Sequence, residues 1–296
     1  MKTKQYFFQD FDNVNSIITN KKKSSSLLDF FVRANLGWAC SFLISCTLVV
    51  SWSSIVKAQN PDTVPSELQE IVNEIETAAN NQDLEALLEY YSADFTNTDG
   101  LTYASLSEAI KQMWQNYPQL QYKTEIQSWE QVGDELVAET VTLIKGNRQN
   151  KGRVIELNST LRSRQYFQEE KLVRQEILSE KTELTSGENP PKVNVVVPEK
   201  VKVGEKYHFD VIVTEPLGNS VLLGGVIEEN TSSDRYLNPT SLELEPLPAG
   251  GIYKLVTAPR LSDRYWLSAI LVRGDGITMV TKRVSIVDSQ AQNLQP

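Results

Sequence analysis

Few residues of this chain have the types and spacing that chemistry needs. Asp94, Thr96, Thr98 and Asp99 place two carboxylates and two hydroxyls close together, an oxygen-rich loop of the kind that holds calcium. An EF-hand spacing would need a glycine one position before Gly100 and a glutamate at its twelfth position, and the chain has neither. Asp99-Gly100 reads more simply as a turn. Both cysteines, Cys40 and Cys46, lie in an apolar N-terminal stretch, so the rest of the chain has no thiolate nucleophile and no disulfide. The single histidine, His208, falls between Tyr207, Phe209, Val211 and Val213, whose alternation turns it outward; Cys/His zinc sites are excluded. Lys145, Arg148, Lys151 and Arg153 crowd one hairpin tip, either as a patch for an anionic partner or lipid headgroups or as a solvated loop between Gly146 and Gly152. Nothing in the pattern asks for a cofactor or a metal.

The elements that would position these groups begin at Ser66. Leu68, Ile71, Val72, Ile75 and Ala79 follow the 3.6-residue period of an amphipathic helix, with Ser66 as N-cap and Asn80-Asn81 as its end. Asp83 is placed to cap a second helix whose apolar face is Leu84, Leu87, Leu88 and Tyr91. A third, opened by Ser105 or Ser107, carries Leu106, Ala109, Ile110, Met113, Trp114 and Tyr117 and stops before Pro118. Four strand-like runs follow, at 121–132, 135–145, 153–167 and 171–183, separated by lengths suited to antiparallel hairpins. In the third run Ile155, Leu157, Leu161 and Phe167 share one face, and Glu156, Asn158, Thr160, Arg162 and Arg164 share the other. With Glu139, Arg174 and Glu176, that polar face is either an ion-pair network at a subunit interface or a pocket wall. In a pocket, Arg162 or Arg174 would clamp a small acid, since a guanidinium matches a carboxylate in a fork.

At 296 residues the length suggests about two domains, and 40% hydrophobic with 23% charged residues is ordinary globular composition. Residues 59–296 carry 22 basic against 35 acidic groups, a balance that repels phosphate backbones and argues against nucleic acid. Residues 1–35 are polar, with Lys21, Lys22, Lys23 and Arg33 ahead of the uncharged run Leu36–Val56. That layout is a secretory signal ending near Ala58, or an uncleaved membrane anchor; Leu43–Cys46 loosely matches a lipoprotein box. Either way the body is expected outside the plasma membrane, periplasmic or extracellular. Residues 59–65 form a spacer. Residues 185–192, TSGENPPK, read as a linker, and seven short strand candidates fill 193–288 before a disordered tail at 289–296.

The stretches NQDLEALLEYYSADFTNTDG and QYFQEEKLVRQEILSE resemble the NTF2-like superfamily, which includes SnoaL-like proteins and steroid isomerases; the resemblance covers residues 66–184. It implies an α+β cone, three helices on a curved antiparallel sheet, able to dimerise through that sheet. Residues 193–288 look like a bacterial Ig-like β-sandwich without its cysteines. Aligned with the steroid isomerase pattern, Asp99 falls on the general base, but the polarising tyrosine falls at Ile75, and no acid stands at Thr160–Arg162. A base without an oxyanion hole lacks what is usually the largest catalytic contribution. The expectation is therefore a non-catalytic exported protein that binds a small ligand or an envelope protein, with ligand contacts at Tyr91, Trp114, Arg162 and Arg174. Its rival is an isomerase, dehydratase or hydrolase using Asp99. Residues 59–184 are expected to fold without the sandwich.

Overall fold

The computed structural model describes residues 63–150, 152–218, 220–237, 243–247 and 250–288. Helix α1 spans Ser66–Asn81, with Ser66 its first helical residue behind Pro65 and no side-chain cap. It ends at Gln82, held left-handed at φ 53°, rather than at Asn80-Asn81. Asp83 does cap helix α2, Leu84–Glu89, accepting from the Ala86 amide at 3.1 Å. The apolar spacing that ran on to Tyr91 misleads here. Tyr90 bonds through its carbonyl to the Leu172 amide at 2.7 Å, and Tyr91–Asn97 becomes strand β1. Helix α3, Tyr103–Asn116, starts a turn earlier than its apolar face suggests, because Thr102 and Ser105 cap each other reciprocally.

The strands are β2 Gln121–Val132, β3 Glu135–Asn150, β4 Arg153–Gln168, β5 Lys171–Gly187, β6 Val193–Val196, β7 Lys200–Lys202, β8 Lys206–Val213, β9 Leu223–Asn230, β10 Glu245–Pro246, β11 Gly251–Thr257, β12 Asp263–Arg273 and β13 Gly276–Val287. A five-residue helix, α4, Ser233–Leu237, follows β9. The expected α+β cone followed by a separate Ig-like sandwich is not the fold. Among the described residues strand outweighs helix, and one ten-stranded sheet runs through both halves in the order β10-β9-β12-β13-β5-β4-β3-β2, with β1 on β5 and β7 on β13. A second sheet, β11-β8-β6, has three strands. The apolar run Leu36–Val56 lies outside the described residues; among those described, no helix is long and apolar enough to cross a membrane.

Strand β5 joins the halves. Along one edge it pairs with β4 for its whole length. Along the other, Leu172–Gln175 pairs in parallel with β1, and Lys181–Gly187 pairs antiparallel with Gly276–Lys282 of β13. Thr185–Gly187, part of the stretch whose composition suggests a linker, are thus inside the ladder. At its end Gly187 lies opposite Gly276 with φ 102°, and a Cβ there would collide with the backbone of Asp275 and Gly276. Two backbones approach so closely at this point that only glycine fits.

Continuing the sheet buries β12 and β13 on both sides. Ile270, Val272, Ile277 and Met279 pack with Ala79 and Trp114 from the helices and Leu157 and Leu184 from the sheet. Leu267, Ala269, Leu271, Val280 and Val284 face the other way, against Phe209, Val211 and Ile252 of the small sheet. Each fully buried aliphatic side chain stabilises by roughly 1.5–3 kcal/mol, so removing the C-terminal half strips both the sheet edge and a shared core. A fragment of residues 59–187 is expected to show no cooperative thermal transition by circular dichroism, whereas the full chain unfolds in one. A sharp transition in the fragment would mean that the β5–β13 pairing is dispensable.

Candidate functional site

A cavity of about 370 Å³ lies between the helices and the large sheet. Helix α1 contributes Val72, Ile75 and Ala79, and α3 contributes Leu106, Ile110 and Met113, the apolar faces that the helical period selects. The sheet floor is Leu157, Leu161, Ile177 and Leu184, with the amides of Gln165 and Gln175 among them. Its hydroxyls largely satisfy one another: Ser159 bonds Thr182 at 2.8 Å, and Thr124 bonds Thr142 at 3.1 Å. Arg235 and Tyr236 from α4, Trp266 from β12 and Thr281 from β13 close the far end.

Two of the four expected ligand contacts reach this cavity. Tyr91 and Trp114 line it, and the Trp114 indole donates to the Tyr122 hydroxyl at 3.0 Å. Burial pushes the Tyr91 and Tyr122 phenols up to about 12, so both are neutral at ordinary pH. Arg162 and Arg174 sit on the opposite face of the sheet. Arg162 and Arg164 both donate to Glu139, at 2.7 and 2.6 Å, and Arg174 stacks over the Tyr166 ring at 3.3 Å. Burial alone would raise the Glu139 carboxyl, but bonds from the two arginines hold it below its usual range. With Arg162 half exposed, the pair contributes at most about 1 kcal/mol.

Asp99 is not at the cavity wall. It is 4% exposed, and the Arg283 guanidinium grips both of its oxygens at 2.7 Å. The Tyr236 hydroxyl adds a third bond at 2.6 Å, and Thr231 a fourth from its side chain. Burial raises this carboxyl, but the Arg283 bonds and charge outweigh it and hold the group below the ordinary carboxylate range. A carboxylate so engaged has no lone pair for a substrate proton. Arg283 also donates to Glu180 Oε2 at 2.9 Å, and the Trp266 indole donates to the same oxygen at 2.8 Å. The cluster sits where the β5 edge passes from β1 to β13, and Glu180, unlike Asp99, lines the cavity.

Asp94 lies exposed on β1, its amide bonded to the Ser92 hydroxyl, and does not join Asp99. Among the described residues no group of three His, Cys, Asp or Glu side chains could hold a metal ion. His208 stands exposed, 3.9 Å from Asp210. At the basic hairpin tip Arg148 lies 5.7 Å from the centre of the Tyr117 ring, a contact that ties it back to the body. The residues that sequence reasoning passed over are Glu180, Tyr236, Trp266 and Arg283, three of them in the half read as an Ig-like sandwich. One signal was present: an arginine inside the long apolar strand run 277–286 requires a buried partner.

A family model described as a domain of unknown function (DUF8623) matches residues 188–287, about a third of the chain. No curated protein matches the chain. Bd1075 from Bdellovibrio bacteriovorus is 21% identical at a TM-score of 0.28, over 38% of this chain and 38% of that one. A conserved protein from Planctomyces limnophilus is 16% identical at 0.30, over 37% of this chain and 91% of its own. A protein of ketosteroid isomerase-like fold from Catenulispora acidiphila is 19% identical at 0.25, over 36% and 83%. Likeness of this kind concerns fold over that share of the chain and carries no activity with it.

Removing one partner of a buried ion pair leaves the other charge uncompensated, so Asp99→Asn is expected to cost about 3–5 kcal/mol in urea unfolding. The Asp99 carboxyl is depressed in the folded chain, so its contribution is complete above the unfolded value, near pH 4, and is lost as pH falls further. The loss of stability on acidification should be shallower in Asp99→Asn than in the parent. Equal slopes would show that Asp99 is not ionised in the pair.

Proposed function

We propose that this chain binds a small, largely apolar molecule in the cavity and does no acid–base chemistry through Asp99. The observation that carries this reading is the separation of the two features. The cavity is walled by aliphatic and aromatic side chains with a few polar anchors, the usual make-up of a ligand pocket. The carboxylate that an isomerase-like mechanism would need is buried behind it in the Arg283 fork. A general base must come within hydrogen-bond reach of the proton it takes, and Asp99 is spent on protein donors.

Occupancy is tested with N-phenyl-1-naphthylamine, a neutral dye that brightens in apolar surroundings. Saturable binding by the full chain, weakened at least tenfold in Leu161→Trp and Ala109→Trp, is the expected result. Undiminished binding in both variants would move the site elsewhere.

The reading extends to location: binding takes place outside the plasma membrane. Its support is the basic flank before the uncharged run Leu36–Val56. Residues 59–296 should be digested by protease added to intact spheroplasts. Protection until lysis would overturn export.

A further inference from the structure

Within the small-ligand reading, the charge at the far end of the cavity narrows the class of ligand. Glu180 is the carboxylate there. Its Oε2 takes two donors, Arg283 and the Trp266 indole, while no described side chain donates to its Oε1. Its side chain is 17% exposed, and it belongs to the cavity lining. The neighbouring charges do not cancel it. Arg283 is shared between Glu180 and Asp99, which already holds both ends of the guanidinium fork. Arg235, also in the lining, faces the buried Glu229 at 3.8 Å. One guanidinium, Arg283, thus serves two carboxylates, and of these Glu180 is the one that lines the cavity.

The surrounding walls suit a cation. Tyr236 and Trp266 stand edge to face at 5.0 Å beside Glu180, with the Arg283 guanidinium 5.5 Å from the Trp266 ring centre, and Tyr91 and Trp114 line the same cavity. Aromatic faces attract ammonium groups, and a carboxylate shielded from water binds them through charge-assisted hydrogen bonds. An anionic head would meet the Glu180 carboxylate, whose neighbouring guanidinium is shared with Asp99. From the Glu180 oxygen that no described side chain engages, the sharing of Arg283 between two carboxylates and the aromatic walls, we infer that the cavity selects a small apolar amine. Its ammonium sits on Glu180 Oε1 and its hydrocarbon lies between α1, α3 and the sheet.

The test uses three probes of one length, octylamine, octanol and octanoate, titrated calorimetrically into the full chain at pH 7. Octylamine is expected to bind at least tenfold more tightly than octanol, with octanoate weakest. In Glu180→Gln, which keeps an oxygen for the Trp266 indole, the gap between amine and alcohol should shrink to within about threefold while octanol affinity stays. The parent ranking stands as a test even if that variant melts. Equal binding of the three probes, or a preference for octanoate, overturns the amine inference. If octanol binding is then lost in Leu161→Trp, the ligand cavity itself survives. No binding of any probe overturns both.

Discussion

The structure depends on what happens along the free edge of β5. A strand of seventeen residues is served on that edge by two partners, β1 and β13, that come from opposite ends of the described chain. Where one stops and the other starts, the ladder is interrupted, and the interruption is filled by charge. Asp99 arrives from the turn after β1, Arg283 from β13 and Glu180 from β5 itself. Burying such groups costs several kcal/mol per ion, recovered only when each finds well-placed partners. Here Arg283 reaches three carboxylate oxygens, and the Tyr236 hydroxyl and Trp266 indole complete the set. A network of this kind tolerates one register only, so it sets how β13 meets β5.

The same junction shapes the cavity. Because β13 and β12 extend the sheet beyond β5, their inner faces form the end wall of a space that the helices and β2–β5 leave open. Trp266 and Tyr236 reach the cavity by this route, and Glu180 is held at its edge by donors from the C-terminal half. The site is therefore composite: the helices and β2–β5 supply most of the apolar wall and its polar anchors, and the C-terminal half closes the end and holds Glu180 in place.

Local order was legible to a large extent. The periods of α1 and α3, the Asp83 cap and the four-strand meander follow from spacing that short-range physics enforces. The alternation along β4 was legible too: Ile155, Leu157 and Phe167 are buried while Glu156, Asn158 and Arg162 are exposed. Strand β1 was not, because Leu84, Leu87, Leu88 and Tyr91 satisfy a helical period that the pairing of Tyr90 and Tyr91 with β5 overrides. The closed cone and the separate sandwich failed for a related reason. Each half reads as a complete pattern alone, and nothing in a strand's sequence says which edge it will join. The run Tyr265–Val272 did carry a hint: near-continuous apolarity marks a strand covered on both faces, whereas an ordinary sandwich strand alternates.

Sequence alone determined the periodic elements, a body with no cysteine and a single histidine, and the acidic balance, because these depend on residue identity and near neighbours. Tertiary structure decided that Asp99 is buried in the Arg283 fork while Glu180 lines the cavity, and that Arg162 and Arg174 lie on the outer face. Those outcomes rest on contacts across as many as 184 positions, where Arg283 meets Asp99. A carboxylate's role is set by the donors that surround it in space, and neighbours in sequence do not supply them.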